Sequence, residues 1–200
     1  MLPQLLELIR EAYPETFEGV TTTKPLGEKA FSGPTPHPNE VLNLFVQQKV
    51  TSALPMAYYM AARRGAKSLM DDQLPQSAIL SPKTLRSAVR GLIALREFEL
   101  NETYRLVLGS RTSPPCPSAH CPSRKTTNSR LSDAHEKVID RIADPSRPGT
   151  KVLQVLTLSG TSDGDSYGFC ESCVKEWETG HLRVRRRTWD ILPAVFGLKG

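Results

Sequence analysis

A chain of 200 residues with a hydrophobic fraction of 38% can bury one core or two small ones, and its 16 prolines predict several breaks. A net charge of +5 permits attraction to acidic partners or nucleic acid without requiring either. No run is long and apolar enough for a membrane span, and the start lacks the basic and apolar blocks of a secretory signal, so the expected location is intracellular, cytoplasmic or nuclear.

Leu2 to Tyr13 reads as a short amphipathic helix, with Pro3 in its first turn and Leu5, Leu6, Ile9 and Ala12 at helical spacing. Pro14 opens a break, and the Thr, Pro and Gly content of Thr21 to Pro38 predicts a linker or extended loop. A helix follows from about Pro38 to Val50, with Val41, Leu44 and Phe45 on its apolar face. The next is expected over Ser52 to Arg64, with Pro55 near its start, Leu54, Tyr58 and Ala61 inward, and Gly65 as the cap. A short helical segment is expected near Leu69 to Leu74.

Ser81-Pro82 marks a helix start, a capping hydroxyl followed by proline at the first helical position. The helix is expected to reach about Leu108. Leu85, Val89, Leu92, Ile93, Leu100, Tyr104 and Val107 form its apolar stripe, and Arg96, Glu97, Glu99 and Glu102 lie outside it. Arg111 to Asn128 reads as a loop, Asp133 to Ala143 as a helix, and Pro145 to Thr150 as a break. Lys151 to Leu158 fits a strand or a buried helix equally well. A last helix is expected from near Cys170 towards Trp189, stopped by Pro193. Beyond that stop, Phe196 folds back as a hydrophobic latch beside Trp189 and Leu192. The sequence shows no internal repeat and no alternation of helices with strands, so the expected class is all-α, a bundle-like array of helices.

The four cysteines form two short-spaced pairs, Cys116 with Cys121 and Cys170 with Cys173. In a reducing compartment, such pairs point to one tetrahedral zinc ion held by four thiolates rather than to disulfides. Cys170 and Cys173 fall at a helix start, where residues three apart share a face and the positive helix end favours thiolate. His120, His135 and His181 are alternative ligands. A four-thiolate zinc leaves no open position for water, so the expected ion is structural and the site has no catalytic residues.

The run Arg183-Val-Arg-Arg-Arg187, beside Trp189, has two readings. It is a patch for phosphates with a stacking aromatic, or a solvated helix face whose cations suit the helix C-terminus. Asp163 to Gly168 lacks the ligands of a calcium loop, because Tyr167 and Val174 stand where oxygen donors belong. No nucleophile elbow, P-loop or H-E-x-x-H is present.

Several stretches together carry a family resemblance: His-Pro-Asn-Glu-Val-Leu-Asn-Leu-Phe at His37 to Phe45, Ala53 to Arg64, Gly91 to Glu97, the two cysteine pairs, and Trp189 to Leu198. With these, the chain resembles the C-terminal region of fungal BTB/POZ domain-containing proteins. The BTB domain itself is not recognisable here. The residues divide the chain into an N-terminal helix and linker over 1–35, a helical region over 36–111 and a region with a C-terminal latch over 112–200; the resemblance implies that the second is BACK-like and the third a cysteine-bearing tail. It also implies a non-enzymatic protein-interaction or adaptor module with an unidentified protein partner, linked to ubiquitin ligation or transcriptional control. The alternative is a zinc-dependent nucleic-acid-binding or transcription-regulatory protein using residues 183–187. A third possibility is an enzyme with a mixed Cys/His metal site.

Overall fold

The structure is a computed structural model that describes residues 13–22, 36–112 and 171–198. Among these residues the regular structure is helical, with no strand: α1 (Phe17–Thr22), α2 (Pro38–Gln48), α3 (Leu54–Ala62), α4 (Ala66–Leu69), a 3-10 turn (Gln76–Ala78), α5 (Pro82–Thr112) and α6 (Glu171–Val195). No helix among the described residues is long and apolar enough to cross a membrane. The expected helices over Leu2 to Tyr13 and Asp133 to Ala143, and the ambiguous segment Lys151 to Leu158, lie outside the described residues apart from Tyr13. Two compact units divide the chain. The first includes residues 13–22, 36–96 and 189–198, and the second includes 97–112 and 171–188.

In the first unit, α2 begins with a capping box. His37 Nδ1 accepts from the Asn39 amide at 3.3 Å, and Glu40 Oε2 accepts from the His37 amide at 2.9 Å. At its other end, Lys49 adopts a left-handed conformation (φ 56°), and the Lys49 and Val50 amides return to the carbonyls of Val46 and Phe45. Val41, Leu42 and Phe45 are buried, whereas the expected Leu44 is exposed; Leu42, a residue the apolar face did not include, takes its place. Asn43 ties α2 to the 3-10 turn by donating to the carbonyls of Ser77 (2.8 Å) and Ile79 (2.9 Å).

The α3 helix departs from an amphipathic pattern, because Met56 through Ala62 are all buried. A helix apolar all round belongs in the interior, and α3 packs against both α2 and α4. Gly65, at φ 90°, makes the turn into α4, where a side chain would be strained. The short helix expected near Leu69 to Leu74 forms earlier, at Ala66–Leu69, with a separate 3-10 turn after Pro75. The helix α1 was not expected, since Pro14 and the Thr-rich stretch suggested a break. Phe17 nevertheless buries its side chain there, and Thr16 caps the turn by accepting from the Gly19 amide at 3.2 Å.

The α5 helix starts as its sequence predicts. Ser81 Oγ accepts from the Thr84 amide at 3.2 Å, and Pro82 occupies the first helical position. Its buried face is not the expected stripe. Within the first unit, Thr84, Ala88, Gly91, Leu92 and Leu95 are buried, while Ile93 is 61% exposed. The reason is steric. A Cβ built on Gly91 would stand 2.0 Å from the Phe196 ring, so the small edge of the helix receives the closest neighbour.

Phe196 also stacks on Tyr58, with centroids 5.1 Å apart and planes 22° from parallel. Phe196 and Leu192 are buried, as a latch requires, and Trp189 and Val195 are half-buried. Pro193 does not stop α6 but lies inside it. It removes only the bond its own N–H would have given the Trp189 carbonyl, and the helix runs on past it. The stop is Gly197 at φ 70°: its amide bonds Ala194 O at 3.0 Å, and the Leu198 amide bonds Pro193 O at 2.8 Å, a Schellman closure.

Replacing Gly91 by Ala is expected to cost about 1–3 kcal/mol through overpacking, and Phe196 by Ala about 3–5 kcal/mol. The double variant should lose less than the sum, because the two changes act on one contact. Additive losses in denaturant melts would show that ring and glycine are not coupled. Lys49→Gly should raise stability by about 1 kcal/mol by relieving the left-handed backbone, read as a higher denaturation midpoint at unchanged slope.

Candidate functional site

The densest polar grouping among the described residues lies in the second unit. Glu102 is buried on α5, and each carboxylate oxygen has its own guanidinium. Arg105 Nη1 donates to Oε1 at 3.0 Å and Arg187 Nη1 donates to Oε2 at 2.7 Å. The first pair is one turn along α5; the second fastens α6 to it. Arg187 also lies over the Phe98 ring, 5.8 Å from its centre, which adds a cation–π contact. The Arg187 side chain is 55% exposed, so water screens part of the attraction and the pair is worth about 1 kcal/mol. The group is a clamp between two helices, and its members are occupied by one another.

The clamp corrects two expectations. Glu99 and Glu102 were placed outside the buried stripe of α5, yet both are buried. The arginines before Trp189 were expected to remain solvated, yet Arg185 is buried and Arg187 is paired. The α6 register explains this. Val184, Arg185 and Thr188 face inward together, and Thr188 Oγ1 returns its hydrogen bond to the Val184 carbonyl at 2.9 Å. Arg183 and Arg186 remain exposed, so the run does not present five residues on one open strip.

His181, one turn before Arg185, is buried. Burial, with the Arg185 charge beside it, lowers its pKa to about 4, so the imidazole is neutral at physiological pH. His181 was a candidate zinc ligand. It stands eight residues beyond Cys173 in sequence, on the same helix.

The first unit holds a second polar grouping at the start of α2. Glu40 Oε1 accepts from the Ser77 hydroxyl, and with the His37 amide bond this holds the Glu40 carboxyl below its usual pKa. Burial and the Arg64 charge lower the His37 pKa, which keeps Nδ1 free to cap the helix. Burial pushes the Tyr13 hydroxyl up to about 12, so it stays neutral, and its ring meets Phe45 edge-on at 5.5 Å. The signal for the cap was present as His37-x-x-Glu40, but histidine is not a customary capping residue and it passed unread.

Cys116, Cys121 and Cys170 lie outside the described residues, as do His120 and His135. Cys173 is the third residue of α6, and Cys170 immediately precedes that helix in sequence. The helix start therefore falls where the Cys170-x-x-Cys173 spacing put it. Among the described residues, no three His, Cys, Asp or Glu side chains assemble into a group able to hold a metal. Four thiolates are by chemistry a zinc donor set. Comparison with known proteins adds no relative: no family model, curated protein or solved structure matches the chain.

His181 supplies a pH test. Its folded pKa lies below the unfolded value of about 6.5, so the unfolded chain takes up the proton first and stability falls as pH drops from about 6.5 towards about 4. The loss from this group is at most roughly 3–4 kcal/mol. Melting curves across that range should fall less steeply for His181→Gln than for the wild type. Equal slopes would show that His181 carries no charge difference between the two states.

Proposed function

We propose that the chain is a non-enzymatic, α-helical protein-interaction or adaptor module, stabilised by a structural zinc ion on Cys116, Cys121, Cys170 and Cys173. The observation that carries this is the use to which ionisable groups are put. His37 and Glu40 cap a helix, Glu102, Arg105 and Arg187 join two helices, and burial holds His181 neutral. These are the roles of a scaffold, and they leave exposed helix faces for partners. The resemblance to the C-terminal region of BTB/POZ domain-containing proteins points the same way and suggests an adaptor role near ubiquitin ligation or transcriptional control.

The zinc would join the segment after α5 to the first turn of α6, and its binding energy would become folding energy. Its chemistry there would be structural, since four thiolates fill the coordination shell.

The purified, reduced chain should contain about one zinc per molecule, and chelation should lower its melting temperature. Cys173→Ser should cost several kcal/mol, on the order of a lost structural ligand. A folded, reduced sample without zinc would overturn the metal assignment. The interaction role is tested by cross-linking and reciprocal affinity capture with the intact chain. A specific, saturable protein partner supports it. Salt-sensitive binding to nucleic acid, abolished by Arg183→Gln with Arg186→Gln, would replace it with the nucleic-acid role.

A further inference from the structure

The first three turns of α5 carry a feature the fold does not explain. Lys83, Arg86, Arg90 and Ile93 follow a 3-4-3 spacing and are all exposed. Thr84, Ala88, Gly91, Leu92 and Leu95 face the core, so the four form one row on the opposite side of the helix. From residue 82 to 96 the sequence contains no Asp or Glu. The described residues give Lys83, Arg86 and Arg90 no ion-pair partner.

Electrostatics make this row costly to the helix that bears it. A helix N-terminus is the positive end of the backbone dipole and favours carboxylates, yet the first turn of α5 has no acid and Lys83 stands there instead. Arg86 and Arg90 are four apart, where like charges repel. The dipole term is worth about 0.3–1 kcal/mol and the like-charge pair about 0.2–0.5 kcal/mol, and both have the same sign.

We propose that this row is the docking face for an acidic amphipathic helix of a protein partner, whose carboxylates neutralise Lys83, Arg86 and Arg90 and whose apolar residue covers Ile93. The row spans about 15 Å, three turns, which a helix crossing at a shallow angle follows throughout. Ile93, 61% exposed and in register with the cations, decides the partner class. An isoleucine gains nothing against a phosphate backbone, but it gains a contact against an apolar side chain of a helix. The proposal rests on the interaction role stated above and names its surface.

The test uses the intact chain and three probes: a labelled helical peptide with glutamates at 3-4 spacing and one leucine a turn beyond them, its twin with serine for leucine, and a DNA duplex of matched charge. Fluorescence anisotropy should show the leucine peptide bound most tightly, more weakly as salt rises. Arg86→Glu with Arg90→Glu should weaken it by about tenfold or more. Ile93→Ser should erase the difference between the two peptides. Lys83→Glu should keep or raise the melting temperature while weakening binding, an outcome that loss of folding cannot produce. Equal binding of the peptide to the wild type and the double variant overturns the proposal, as does a duplex that binds as tightly as the peptide. Partner capture that survives the double variant sinks the row but leaves the interaction role standing. A wild-type chain that captures no protein partner sinks both.

Discussion

The contact between Phe196 and Gly91 fixes more of the first unit than any other. A ring that would lie 2.0 Å from a Cβ demands glycine at that point of α5. Once the ring is there, the direction of α5 is settled: Ala88, Leu92 and Leu95 follow Gly91 inward, and Ile93 is turned out. Tyr58 of α3 closes the other side of the ring, so one aromatic joins two helices to the chain's end. The Schellman closure at Gly197 holds the last turn that carries Phe196.

Within the first unit, the facing of α5 also decides which of its cations reach solvent. With α5 turned as it is, Lys83, Arg86 and Arg90 point to solvent along the first three turns. In the second unit, the later part of the same helix buries Glu102 and meets Arg187 through it. The basic run 183–187 looked the more inviting charged feature in sequence, but part of it is consumed by packing. The quieter 83–90 stretch, diluted by apolar residues, keeps Lys83, Arg86 and Arg90 exposed. Counting cations in a window does not separate the two cases; helix direction does.

Local chemistry was legible wherever it depended on neighbours in sequence. The Ser81-Pro82 start, the helix from Pro38, the helix start beside Cys170 and the burial of Phe45, Leu92 and Phe196 all follow from caps, proline geometry and apolar spacing. On α5 the misses share one cause. Ile93 and Glu102 were placed by counting large apolar residues, but a close approach through Gly91 and a paired carboxylate outweigh that count. Pro193 was given a stop that belongs to Gly197: the proline removes only its own N–H from the ladder, whereas the left-handed Gly197 closes the last carbonyls. The cysteine pairs, the strongest signal in the sequence, fall almost wholly outside the described residues.

The sequence by itself determined that most of the described parts of this chain are helical, where several helices start, and which donor set a metal would find. These are properties of residues a few positions apart, where capping, dihedral preference and ligand softness act directly. Tertiary structure decided which face of α5 is buried, that α3 is enclosed on all sides, that Arg185 and Glu102 are interior and that Lys83, Arg86 and Arg90 are not. Those outcomes depend on what approaches from elsewhere in the chain, and burial is a property of the approach.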